Sequence, residues 1–194
     1  MKRSLFVWPL AFVTTFVLQL PASAVEDPTN TRQDVSLRHD AGVFTVTATF
    51  DVPHDASLAT SVLTDYEQIS RFVPDVTKSV IVQRADGHIV VEQEAVARML
   101  MFSKRVYLLL DVHQEEGIIR FCDRSGRSFS RYEGSWRLTG GDERTTIAYE
   151  LTARPSFDVP EFILGRLLKR DAKKMIEGLR QEMARRGKAS SKSP

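Results

Sequence analysis

PEFILGRLLKRDAKKMIEGLRQEMARR, residues 160–186, is the stretch on which the fold of this chain turns. Leu164, Leu168, Ala172, Met175, Leu179 and Met183 recur every three or four residues, while lysines and arginines cover the opposite face. This spacing predicts one long amphipathic helix, with Pro160 in the first turn, where its missing N–H does no harm. Such a stripe has to be buried, and the rest of the chain offers a sheet to bury it against.

Upstream lies a run of strand candidates separated by turn signals. DVTKSVIVQRA and HIVVEQEAVARM are joined by Asp86-Gly87, a pair suited to a tight hairpin. MFSKRVYLLLDVHQ and IIRFCDR meet near Glu116-Gly117, and SFSRYEGSWRLT and RTTIAYELTARP are linked through Gly140-Gly141-Asp142. Before them, GVFTVTATFDV sets Val46, Ala48, Phe50 and Val52 against Thr45, Thr47 and Thr49, a period of two with β-branched content. Between this strand and the other six, HDASLATSVLTDYEQISRF carries Leu58, Val62 and Leu63 at helical spacing and predicts two short helices. The expected architecture is α+β: a seven-stranded antiparallel sheet with two short helices after the first strand and a long C-terminal helix across it. In that layout a gap between sheet and helix is a natural ligand cavity.

The ends are read differently. Residues 1–24 join Lys2 and Arg3 to an apolar run over 5–20 and the small triplet Ala22-Ser23-Ala24, the three parts of a signal peptide cleaved after Ala24. The run is short against the roughly 20 residues that span a bilayer. Export, most simply to a periplasm, is therefore expected. Residues 25–41 are polar and aperiodic and predict a flexible lead-in; 42–186 form the single domain, and 187–194 a disordered tail. Cys122 is the only cysteine, so no intramolecular disulfide forms. From Arg166 onward Lys and Arg far outnumber Asp171, Glu177 and Glu182, a bias that suits peripheral contact with an anionic membrane as well as a plain solvated helix face.

LTDYEQISRFVPDV, VEQEAVARMLMFSKRV, RYEGSWRL and ARPSFDVPEFILGRLLKRDAKKMIEGLRQE, in this order, resemble the polyketide cyclase and coenzyme-Q-binding branch of the START-like (Bet v 1-like) superfamily. The resemblance covers about residues 42–186. It implies a helix-grip fold, a curved sheet holding the C-terminal helix around an apolar cavity. It also implies an apolar ligand such as a quinone, isoprenoid, lipid or polyketide, and in some members aromatic ring closure.

Within that frame Tyr66, Phe72 and Val73 are candidates for one lip of the cavity, tyrosine having an apolar ring and a polar tip. Met99, Met101 and Phe102 offer adaptable apolar surface. Gln93 falls on the strand face of Val91, Ala95 and Ala97, where a buried amide needs a partner from another strand or from a ligand. Tyr132 and Trp136 share an apolar face with Gly134, whose missing side chain admits a close approach by the helix or a ligand. Phe162, Leu168 and Met175 on the closing helix complete the ligand-binding set. The charges of TDYEQISRFVPDV have capping-box spacing from Thr64 to Glu67 and from Asp65 to Gln68, and so read as helix caps.

His39, His54, His88 and His113 are scattered, without H-x-H or H-E-x-x-H, so no metal site is expected. No cofactor motif and no nucleophile elbow occur, and the basic residues lack an aromatic platform for nucleic acid. The leading expectation is a monomeric, non-enzymatic carrier of an apolar small molecule. A cyclase or dehydratase using Asp65, Tyr66, Glu92 or Tyr107 is the second reading, and a ligand-free protein-interaction module the third.

Overall fold

Alternation in VFTVTATFDV buries Val46, Ala48, Phe50 and Val52 and leaves Thr47 and Thr49 in solvent. The computed structural model describes residues 33–85, 87–99 and 102–190. In chain order the elements are β1 (Gln33–Asp40), β2 (Val43–Val52), α1 (Ala56–Leu63), α2 (Ile69–Phe72), β3 (Val76–Ala85) and β4 (His88–Met99). They continue with β5 (Phe102–Glu115), β6 (Ile118–Asp123), β7 (Phe129–Gly140), β8 (Thr145–Pro155) and α3 (Glu161–Ser190). The strands form one antiparallel sheet in the order β1-β2-β8-β7-β6-β5-β4-β3.

The sheet has eight strands where the sequence predicts seven. The extra one, β1, lies in the expected flexible lead-in, and it pairs with β2 along its whole length. Two residues turn the chain between them, Ala41 at φ 46° and Gly42 at φ 78°. Two successive positive φ values are what a two-residue hairpin requires. Val35 is buried and Leu37 packs on the core, which anchors the hairpin. At the other end α3 runs to Ser190, so residues 187–190 of the expected tail are helical. The proposed leader, residues 1–24, lies outside the described residues.

The caps also differ from expectation. Asp55, not Thr64 or Asp65, caps a helix start, its carboxylate accepting from the Leu58 N–H at 2.7 Å. Thr64 is the C-cap of α1 and donates its hydroxyl to the Thr60 carbonyl at 2.8 Å. Gln68 opens α2 with no side-chain cap bond. Asp65 instead accepts from Arg186 Nη2 of α3 at 2.6 Å. Separated by 121 positions in the chain, this pair ties the connection after α1 to the far end of the closing helix.

α3 buries Leu164, Leu167, Ala172, Ile176, Leu179 and Met183 and packs on β1, β2, α1 and α2. Gly178 fixes how near it comes: a Cβ there would lie 1.9 Å from the Phe72 carbonyl oxygen. Only glycine lets the helix backbone run against the end of α2.

Candidate functional site

Between the sheet and the first half of α3 lies a cavity of about 240 Å³. Its floor follows from strand parity. In β5 Val106, Leu108, Leu110 and Val112 face inward, in β4 Gln93, Ala95 and Ala97, and in β6 Ile119 and Phe121. Small residues on β4 opposite branched residues on β5 leave room above the sheet. Leu164, Leu167, Leu168, Asp171, Ala172 and Met175 roof the space, and Tyr66, Ile69, Val73, Pro74 and Asp75 edge it.

One wall is aromatic. Trp136 on β7 lies 4.3 Å from Tyr149 on β8, ring centre to ring centre, and Phe121, Tyr132 and Phe129 continue the cluster. Gly134 serves this wall rather than the helix or a ligand: a Cβ there would meet the Phe121 ring and the Glu150 carbonyl.

The polar groups facing the cavity fall into two kinds. Two already have partners. Gln114 Nε2 donates to the Tyr66 hydroxyl at 2.8 Å, and Gln93 Nε2 donates to Ser79 Oγ at 3.1 Å. Burial pushes the Tyr66 pKa up to about 12, so its ring carries no charge near neutrality. Tyr132 and Tyr149 are different. Burial raises both, Tyr132 to about 12 and Tyr149 well above the ordinary phenol value, and neither hydroxyl has a hydrogen-bond partner among the described residues. Both residues line the cavity, so a ligand that supplies a polar atom can meet their hydroxyls there.

Asp171 is the acid of the roof. Arg170 Nε and Nη2 both donate to its Oδ1, at 2.9 and 2.8 Å. Burial nevertheless raises its pKa above the usual carboxylate value, opposed by Arg170 and reinforced by Asp75. Asp75, at φ 70°, accepts from Arg98 at 3.1 Å and Lys174 at 3.2 Å, a polar strap across one edge of the cavity.

Of the residues predicted from sequence, Tyr66, Val73, Gln93, Tyr132, Trp136, Leu168 and Met175 come together around this space. Phe72 does not line it; its ring packs on the core with the Arg186 guanidinium 5.9 Å away. Phe162 is 67 % exposed at the start of α3, one position beyond the face that turns inward. The side chains of Met99, Met101 and Phe102 lie outside the described residues. The catalytic candidates disperse: Asp65 pairs with Arg186, and Tyr107 donates to Glu92 at 3.1 Å on the outer face of the sheet, where Lys78 holds the Glu92 pKa down. Sequence reasoning missed Tyr149 and Asp171. Tyr149 alternates with Ile147 and Leu151, and Asp171 falls at the spacing of Leu164, Leu168 and Met175, so both carried a periodicity signal.

A single C-terminal helix laid over an antiparallel sheet, with an apolar cavity beneath it, is the architecture of the START-like helix-grip proteins. The chain belongs to the polyketide cyclase/dehydrase and lipid transport family, whose model matches residues 52–180. Among solved structures it is similar to the Zhui aromatase/cyclase from Streptomyces sp. R1128, with a TM-score of 0.67 at 16 % identity over 76 % of this chain and 98 % of that one. A START superfamily protein from Mycobacterium smegmatis gives 0.65 at 18 % identity, over 73 % and 97 %. A STAR-related lipid transfer protein from Xanthomonas axonopodis gives 0.58 at 17 %, over 77 % and 98 %. No curated protein matches the sequence at a significant level.

Proposed function

We propose that this protein is an exported carrier that holds a quinone, isoprenoid or similar lipid-like molecule between the sheet and α3. The observation that carries this reading is the cavity: an apolar space with two phenols in its aromatic wall, Tyr132 and Tyr149, that have no hydrogen-bond partner among the described residues. At about 240 Å³ it falls just below the roughly 300–1,000 Å³ usual for small-molecule sites. That size favours a single ring or a short isoprenoid, or the head of a longer molecule, over a diacyl lipid. Apolar burial at roughly 25 cal/mol per Å² drives binding, less the cost of ordering the ligand. The two phenols orient its polar end, in place of Tyr66, whose hydroxyl already accepts from Gln114, and Gln93, whose Nε2 already donates to Ser79.

Loading from a membrane fits the surface of α3. Arg166, Lys169, Lys173 and Lys174 are exposed along the helix that roofs the cavity, and Phe162 projects at its start. Anionic headgroups attract such a face, and no helix among the described residues is itself long and apolar enough to cross a bilayer. The expected compartment is the periplasm, an inference that rests on the leader-like residues 1–24, and the expected form there is a monomer.

One observation favours a second reading, a cyclase or dehydratase: Asp171, with its raised pKa, faces the same space as Tyr132. The test is mass spectrometry of solvent extracts from protein purified out of its native envelope. The carrier reading expects one apolar compound near one equivalent, unchanged after incubation. No co-purifying compound, together with no rise in melting temperature from a quinone, an isoprenoid alcohol or a fatty acid, would sink it. Conversion of a bound polyketide-like compound that stops in Asp171→Asn would favour the enzyme.

A further inference from the structure

The outer face of the sheet, opposite the cavity, carries a separate cluster. In β4–β5 pairing His88 stands directly across from His113. Asp111, two residues before His113 on the same strand, shares its face. The ligand atoms of these three side chains all lie within 4.8 Å of one another. His113 Nε2 is 3.4 Å from Asp111 Oδ1, and His88 Nε2 contacts the same oxygen.

We propose that His88, Asp111 and His113 bind a divalent transition-metal ion of the Zn²⁺ class. Bonds of roughly 2.0–2.1 Å at tetrahedral angles put neighbouring ligand atoms about 3.3 Å apart, close to the observed His113–Asp111 separation, and His88 draws back from its tighter contact with Asp111 to take the ion. Two imidazoles and one carboxylate form a donor set that suits Zn²⁺, Co²⁺ or Ni²⁺ rather than Mg²⁺ or Ca²⁺.

A second observation points the same way. Asp111 Oδ1 is shielded from solvent, yet neither imidazole meets it in hydrogen-bonding geometry. A buried carboxylate oxygen without a donor is costly, and a cation between it and the two rings removes the cost. Arg124 Nη1, 3.4 Å from Oδ2, leaves Oδ1 for the metal and steadies the carboxylate from outside. Cys122 stands across from Asp111 in β5–β6 pairing. Its thiol is not one of the three converging groups, which leaves the fourth position to water.

Strand parity keeps this site apart from the cavity, because the inward residues of β5 are Leu108, Leu110 and Val112. A bound ion would clasp β4 to β5 without entering the ligand space.

The test uses the full chain, purified without a polyhistidine tag and stripped by chelation, then titrated with Co²⁺ while visible absorption is followed. The expected result is one Co²⁺ per chain with a four-coordinate spectrum, displaced by Zn²⁺, and a Zn²⁺-dependent rise in melting temperature. His113→Ala and Asp111→Asn each weaken binding by more than the roughly 10- to 100-fold typical of outer-sphere changes, whereas Cys122→Ala leaves the stoichiometry unchanged. His113 is more than half exposed, so its removal does not threaten the fold. No stoichiometric Co²⁺ binding by the wild-type chain, or binding undiminished in His113→Ala and in His88→Ala, would overturn the proposal.

Discussion

The two halves of α3 belong to one helix but meet the rest of the molecule differently. The C-terminal half is bolted down. Ile176 and Met183 are fully buried, Gly178 lies against the Phe72 carbonyl, and Arg186 reaches both Glu182 and Asp65. The N-terminal half is a roof: Leu168 and Met175 are only partly buried, and Asp171 looks into a void. A side chain facing empty space forfeits dispersion contacts, so the roof gives up stability that the bolted half supplies. Under the proposed function, the fold rests on one end of the helix and ligand binding on the other.

The sharpest way to break this comparison is at Gly178. Gly178→Val forces a Cβ into the Phe72 carbonyl and is expected to cost about 3–5 kcal/mol, at the upper end of single-substitution effects. Denaturant unfolding measures it; a cost under about 1 kcal/mol would mean that α3 and α2 are not locked together. Truncation comes next. Met183→Ala should cost about 2–5 kcal/mol, whereas Leu168→Ala, at the edge of an existing void, should fall below that range while weakening ligand binding. Equal costs would erase the distinction between the two halves.

Two carboxylates on α3 sharpen it through pH. Arg185 and Arg186 hold the Glu182 pKa down to about 2. A depressed folded-state pKa gives stability that is present above the unfolded value and is lost as pH falls. Glu182→Gln should therefore cost about 1–3 kcal/mol near pH 7, and its gap to the wild type should narrow from about pH 4.5 down toward 2. Asp171 behaves in the opposite sense. Burial raises its pKa, so the folded state holds the proton more tightly and the residue costs stability once it ionises. Asp171→Asn should be slightly more stable than the wild type at neutral pH, the smallest effect in the series. That margin should vanish on acidification below the ordinary aspartate range. Melting curves across pH check both signs.

The bolted half of the helix and the strands it covers were largely legible in the sequence. A period of 3.6 over residues 160–186 and a period of two over 43–52 are consequences of burying one face, and both appear in the structure. Strand β1 was not legible. Only Val35 and Leu37 alternate in it, and its hairpin turns on an alanine with positive φ instead of the Asn-Gly or Asp-Gly that announces such turns. The charges of residues 64–76 misled because capping-box spacing is a local pattern, while Asp65 answers to an arginine 121 residues away. The cavity was legible in part. Parity placed Gln93, Tyr132 and Trp136 on the inner face, but not which polar atoms would already be satisfied. For Gln93 and for Tyr66 that depends on Ser79 and Gln114, which reach them only through strand register and loop packing. For the same reason the histidines looked scattered: His88 and His113 become neighbours only once β4 and β5 pair.

Trp136, in the wall of the space beneath the first half of α3, reports on whether that space binds a ligand. With Trp8→Phe as background, Trp136 is the only tryptophan in the chain. Titration with a short-chain benzoquinone should quench its fluorescence saturably at one equivalent, and Ala172→Phe, which fills the roof, should abolish the quenching while the protein stays folded. Quenching that is linear and unsaturated, or unchanged by Ala172→Phe, would contradict the account.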